Sequence, residues 1–312
     1  MLWRKGVVCA AVLIFLVPLP WAQKAPVNEV TVFFTGFVRG NYGPCGCAAG
    51  PAGGVSRRAG YSKAFAEDHS GALLHVDAGN YLQPPGPRSE MINRLMLESM
   101  QELPLAVMNL GIEDLYWWNT LSGEGVGDTQ VISTNLVSEA PGLPQPAKYA
   151  VVIIPADQTA LGRDLRIGFL GIADPKRVKP NARFRGVDPL EAVAAVKAEV
   201  MEKADFLIVL ADVSRSRGEI PQVLRQLAEQ NSEIIAILVT ERRYRLYDPV
   251  QINSATILSS VERGRYLGQL TLLLDSSGAV AAVKPDSIEL KEGLPEVEAL
   301  RSKAEWINAQ LP

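Results

Sequence analysis

Residues 188–213 read DPLEAVAAVKAEVMEKADFLIVLADV, and this stretch decides the fold class. Asp188 stands where it can cap a helix, with Pro189 at the first helical position and Glu191 three residues after the cap. The exposed N–H groups of a first turn are thereby bonded, removed or faced by negative charge. Residues 205–213 form an almost unbroken apolar run, the pattern of a strand covered on both faces. A second helical segment at 219–230 and a second apolar strand at 233–240 complete two β-α repeats, which predicts a layered α/β architecture.

The same alternation extends toward the N-terminus. EVTVFFTG (29–36) is a β-branched and aromatic strand, followed by a glycine-rich turn and a helix over 55–68. ALLHVDAGN (72–80) is a second buried strand. SEMINRLMLESMQEL (89–103) spaces Ile92, Leu95, Met96 and Leu103 for a helix, with Ser89 as its cap. Short strands are expected in LAVMNLG, QVISTN, YAVVIIP and LRIGFLGIA. Toward the C-terminus, Leu270, Leu272 and Leu274 alternate inward before a DSSG turn, which predicts an antiparallel hairpin. An amphipathic helix from about Pro295 to Gln310 closes the chain. There is no internal repeat and no low-complexity tract.

Arg4 and Lys5 precede an apolar run from Val7 to Leu19 that is short for a membrane span and ends in small residues near Ala22. Residues 1–22 therefore read as a secretory signal that removes Cys9, with an uncleaved anchor as the alternative. The 312-residue chain carries a net charge of −3, and loss of the two basic residues of the leader makes it −5. Such mild acidity gives no support for a nucleic-acid partner, and no later segment is apolar enough to span a membrane. An exported location is oxidising, so Cys45 and Cys47 in GNYGPCGCAAGPAGGVSRRAG (40–60) are treated first as a disulfide pair. Gly46 permits the tight bridge, and a small strained ring exchanges readily. Arg57, Arg58 and the helix start near Val55 would stabilise a thiolate if they face the loop. A structural staple is the plain alternative. Metal binding by two thiolates alone leaves zinc or copper short of ligands.

Seven pieces in order resemble the calcineurin-like metallophosphoesterase domain of the 5′-nucleotidase and UDP-sugar hydrolase family. They are FFTGFVRG, GGVSRRAG (with Gly53 and Gly54 at its head), LLHVDAGN, MNLGIEDLYWW, VISTNL, RIGFLGI and VERGRYLGQLTLLLD. The resemblance implies a four-layer α/β/β/α sandwich over 29–285 and a linker-type helix over 286–312, with that family's nucleotide-binding C-terminal domain absent. PCGC followed by GGxxRR resembles a divergent branch of the same fold.

The resemblance also implies a site, and there the residues depart from it. The family holds two divalent metals with His, Asp and Asn to activate a bridging water. Its first-loop Asp and His fall on Gly36 and Arg39, its bridging Asp on Asn80, its Asn-His pair on Ile112 and Glu113, and a further His on Asp212. Its G-G-H-x-H segment falls on AILVTE. Only His69 and His75 exist in the chain, at neither matching position. Asp77, Asn80, Glu113 and Asp212 could form a substitute oxygen site for Ca²⁺ or Mg²⁺, but Arg39 would bring a fixed positive charge that favours ion pairing. Tyr116, Trp117 and Trp118 suit core packing or a pocket rim.

Two functional readings follow. The first is an exported protein with the dinuclear site lost, acting through Cys45 and Cys47 on a small molecule or redox partner protein, or as a binding protein without catalysis. The second is a phosphoesterase with an unorthodox divalent-metal site.

Overall fold

A computed structural model describes residues 28–44, 50–123, 126–179, 183–213, 219–240, 248–260 and 263–310. Residues 1–27, with Cys9, and residues 45–49, with Cys45 and Cys47, lie outside the described residues.

The strands are β1 (Glu29–Thr35), β2 (Ala72–Asp77), β3 (Val107–Asn109), β4 (Gln130–Ile132), β5 (Leu136–Ser138), β6 (Tyr149–Ile154), β7 (Leu165–Ala173), β8 (Phe184–Gly186), β9 (Phe206–Asp212), β10 (Ile234–Thr240), β11 (Val250–Ile252), β12 (Ala255–Ser260), β13 (Tyr266–Leu274) and β14 (Val280–Glu289). The helices are α1 (Val55–Asp68), α2 (Ser89–Glu102), α3 (Trp118–Leu121), α4 (Pro189–Met201), α5 (Gln222–Gln230) and α6 (Glu298–Ala309). One six-stranded sheet runs β14-β13-β1-β2-β3-β4 and a second runs β11-β12-β10-β9-β7-β6, while β5 and β8 pair separately.

The two sheets pack face to face. Val30, Val32 and Phe34 of β1, with Leu270 and Leu272 of β13, meet Phe169, Ile208, Leu210 and Leu238 from the other sheet. Alternate residues look outward: Phe33 joins Tyr61 and Phe65 of α1, and Leu207, Val209 and Ala211 of β9 join Val193 of α4 and Leu224 of α5. Both faces of β9 are thus covered, and all seven of its residues are buried, which accounts for its unbroken apolar sequence. With α1, α2 and α6 on one side and α4 and α5 on the other, the order is helix, sheet, sheet, helix: a four-layer α/β/β/α sandwich.

Asp188 caps α4 by accepting from the N–H groups of Leu190 and Glu191 at 2.8 and 3.1 Å. The Ser89 cap is corrected. Ser89 is the first residue of α2, and Arg88, at φ 70°, takes the cap position without a side-chain bond. The Ser89 hydroxyl is instead committed to Gly86, donating to its carbonyl and accepting from its N–H. At the DSSG turn, Asp275 accepts from the Ser277 and Ala279 N–H groups. Strand β14, the edge strand of the first sheet, continues to Glu289, so residue 285 lies within the strand rather than at its end. Helix α6 buries Leu300, Ala304 and Ile307 against the cluster shared with α2. The segment before it lies directly on α1: a Cβ on Gly60 would come within 2.2 Å of the Pro295 carbonyl oxygen, so only glycine admits this approach.

Candidate functional site

Strands β2 and β9 end in Asp77 and Asp212, in facing sheets, and the loops after β1, β2, β3 and β7 converge on these two carboxylates. Asp77 is fully buried and accepts from the Thr35 hydroxyl at 2.6 Å and from the Gly79 N–H at 2.8 Å. Burial pushes its pKa up to about 6. The Asp212 charge adds to that rise, against the two hydrogen bonds and the charge of Arg58.

Asp212 is held differently. One oxygen accepts from Arg177 Nη1 at 2.7 Å and Thr240 Oγ1 at 2.9 Å, and the other accepts from the Ile112 N–H at 2.9 Å. Glu113 forms an ion pair with Arg39, Nε to Oε2 at 2.5 Å. The Glu113 N–H donates to Asn80 Oδ1 at 2.8 Å. Asn80 is buried in the left-handed region at φ 60°, and its Nδ2 has no hydrogen-bond partner among the described residues. The structure therefore brings Asp77, Asn80, Glu113 and Asp212 into one network, with Arg39 on its rim.

Two members of this network were not singled out in the sequence. Asp114 accepts from the N–H groups of Asn80, Leu82 and Gly111, locking the loops after β2 and β3 together. Burial, with the charge of Asp77, holds its pKa well above the usual carboxylate range despite those three donors. Arg177 enters from a turn after β7, in which Asp174 accepts from the Lys176 N–H. Asn109 ties the sheets together beneath, donating to the carbonyls of Ala78 and Ile172.

The backbone around the network is strained in one consistent way. Among the described residues, non-glycine positions with left-handed φ are Phe37, Arg39, Asn80, Arg88, Arg263 and Asn253. The first four fall in the loops after β1 and β2, and Arg263 lies just before β13. Each costs on the order of 1–3 kcal/mol, and such positions cluster where function holds a backbone in place.

The glycine pair and the arginines of GGVSRR contact Pro44 and Pro51, the described residues on either side of the cysteine segment. Gly54, at φ 100°, precedes α1, and a Cβ there would lie 3.2 Å from the Pro44 nitrogen. Gly53, at φ 90°, donates to the Leu290 carbonyl at 2.8 Å. Both arginines are buried. Arg57 pairs with Glu296 at 3.0 Å and donates to the Pro51 carbonyl at 2.7 Å. Arg58 turns inward to the Tyr81 hydroxyl at 2.6 Å, so its charge acts on Asp77 and His75. Burial, with that charge, lowers the pKa of His75 to about 3, and its ring packs on Phe33. His69 stacks on Phe65. Trp118 is core, edge-on to Phe184, while Tyr116 is exposed beside Lys179.

No protein-family profile matches the sequence, and no curated protein sequence matches it. Solved structures do match. A 5′-nucleotidase precursor from Thermus thermophilus aligns with a TM-score of 0.67 and 20% identity over 90% of this chain and 59% of that one. Thermus thermophilus sulfate thiohydrolase SoxB, solved with glycerol, aligns with 0.73 and 16% over 95% and 62%. The calcineurin-like phosphoesterase YfkN of Bacillus subtilis aligns with 0.71 and 17% over 91% and 98%. The chain has the metallophosphoesterase fold of the 5′-nucleotidases, and spans about three fifths of the length of the first two relatives. No helix among the described residues is long and apolar enough to cross a membrane.

Proposed function

We propose that the chain is an exported 5′-nucleotidase-like protein whose metal pocket has become a set of ion pairs, and that it acts through Cys45 and Cys47 as a thiol-disulfide centre. Its partner on this reading is a small molecule or a redox protein. The observation that carries the first half is the pair of guanidinium contacts, Arg39 on Glu113 and Arg177 on Asp212, at positions where the resemblance sets metal ligands.

The donor set does not fit two divalent cations. Every oxygen of Asp77 and Asp212 already accepts a hydrogen bond, and the unpartnered atom of Asn80 is a donor, which repels a cation. Among the described residues no group of three His, Cys, Asp or Glu is arranged around a metal position. Two arginines supply positive charge in place of metal, so no step is routed through a metal-bound water.

The thiol half rests on the sequence and on the flanks of the cysteine segment. Pro44 lies close to Gly54 at the start of α1, and a helix N-terminus lowers the pKa of a thiol placed beside it. Arg57 reaches the Pro51 carbonyl on the other flank, although Glu296 shares its charge.

The test is a redox titration of the protein, reading Cys45 and Cys47 by alkylation and mass. A reversible couple above about −300 mV is expected, and a bridge that resists reduction below it overturns the reading. The competing phosphoesterase reading requires metal-dependent turnover of a generic phosphate ester that Glu113→Ala or Asp212→Ala abolishes.

A further inference from the structure

On the outer side of Arg39 lies a cavity of about 480 Å³ that the carboxylate network does not use. Its walls include Arg39, Tyr42, Gln83, Pro84, Ile92 and Arg263. The volume falls in the range of small-molecule sites, and the lining combines charged and amide side chains with a smaller apolar part at Pro84, Pro85 and Ile92.

The cavity is built from three loops that are fastened to one another. The Arg39 and Gly40 N–H groups donate to the carbonyls of Asn80 and Tyr81 at 2.8 and 2.9 Å. Asn41 Nδ2 donates to the Arg263 carbonyl at 2.7 Å, and Asn93 braces Gln83 through both its N–H and its carbonyl. The Tyr42 hydroxyl donates to Asn308, which fixes that wall against α6.

Two arginines line this frame, both on left-handed backbone, at φ 53° for Arg39 and 51° for Arg263. An arginine gains nothing intrinsic from that conformation, so the fold holds both backbone positions in place at a cost of conformational energy. Glu113 neutralises Arg39 through Nε. Arg263 has no carboxylate partner and no side-chain hydrogen bond among the described residues. One positive charge is therefore left over in a recess whose lining mixes polar groups with Pro84, Pro85 and Ile92, and a planar guanidinium matches the oxygen pair of an oxyanion.

We propose that this cavity binds a small organic anion, with its sulfonate, phosphate or carboxylate group on Arg263 beside Arg39 and its apolar body against Pro84 and Ile92. The site stands apart from the thiol chemistry, and a redox titration neither supports nor removes it.

Calorimetric titration at low ionic strength tests it, with benzenesulfonate as the probe, inorganic sulfate as the headgroup alone and benzyl alcohol as the neutral counterpart. Benzenesulfonate should bind saturably, sulfate more weakly and benzyl alcohol not at all. Arg263→Gln should weaken benzenesulfonate by about tenfold or more, and the exposed, unpaired position leaves the fold intact. Absence of saturable benzenesulfonate binding, equal binding by Arg263→Gln, or equal binding of benzyl alcohol would overturn the proposal.

Discussion

Asp77 and Asp212 terminate central strands of the two facing sheets, and the protein holds these equally buried carboxylates by opposite means. Asp212 keeps a direct guanidinium partner in Arg177, plus Thr240 and a backbone N–H. Asp77 has a hydroxyl and one N–H but no cation in contact among the described residues, and its pKa climbs to about 6. A buried charge without a counter-charge is harder to ionise, until the proton becomes the favoured partner. One end of the pocket thus carries a guanidinium contact, and at the other the carboxyl of Asp77 takes up its proton more readily.

The largest effect should come from removing the counter-charge. Arg177→Met leaves Asp212 buried without a cation, and should cost about 3–5 kcal/mol in urea denaturation at pH 7. A loss below about 1 kcal/mol would mean that Thr240 and the Ile112 N–H suffice, and the contrast with Asp77 would collapse.

Next comes the pH dependence set by Asp77. Its folded pKa lies above the unfolded value of 3.8, so the folded state holds the extra proton. Stability from this group is complete below about pH 4 and is lost as pH rises through 6, by up to about 3 kcal/mol. His75 works the other way, since its folded pKa of about 3 lies below the unfolded 6.5, so its contribution is lost as pH falls through that window. Subtracting the stability curve of Asp77→Asn from that of the parent cancels His75. The difference should slope downward between pH 4 and 6, and a flat difference would show Asp77 ionised throughout.

The smallest effect belongs to the rim. Glu113→Gln removes the partner of Arg39, a pair with the arginine side chain about one third exposed, and should cost about 1 kcal/mol or less. A larger loss would place that pair with Asp212 rather than at the edge of the network.

The central strands were legible because each buries both faces and so cannot avoid a continuous apolar run, as β9 and β10 show. Of the five three-residue strands among the described residues, β3 was expected because it sits in the longer apolar stretch LAVMNLG and β4 from QVISTN, whereas β8 and β11 carry too few residues for any period to emerge and have no such flanks. Ser89 misled because a hydroxyl at a helix start serves either the helix or the preceding turn, and the Gly86 turn won. Asp77, Asn80, Glu113 and Asp212 could be named from their places after strands. Asp114 could not, because its three donors come from two loops that only meet in three dimensions. An acid directly after the LGIE turn was the one local hint. Arg177 was hidden in a basic turn whose neighbours Lys176 and Lys179 have the same appearance in sequence.

Viewed as a mechanical joint, the backbone contact of Pro295 with Gly60 makes α6 a latch. Its polar fastenings are single points, with Glu296 on Arg57 and the Val297 N–H on the Ser56 carbonyl at its start, Lys303 on Glu98 midway and Asn308 on the Tyr42 hydroxyl near its end. Strands β13 and β14 are instead laced together along their whole length, from Tyr266 against Glu289 to Leu274 against Val280. A pull on the C-terminal end loads the latch before the lacing. Helix α6 then peels from α1 and α2 as one piece while the sheet beneath stays closed, and Arg57 becomes the first buried charge to meet water.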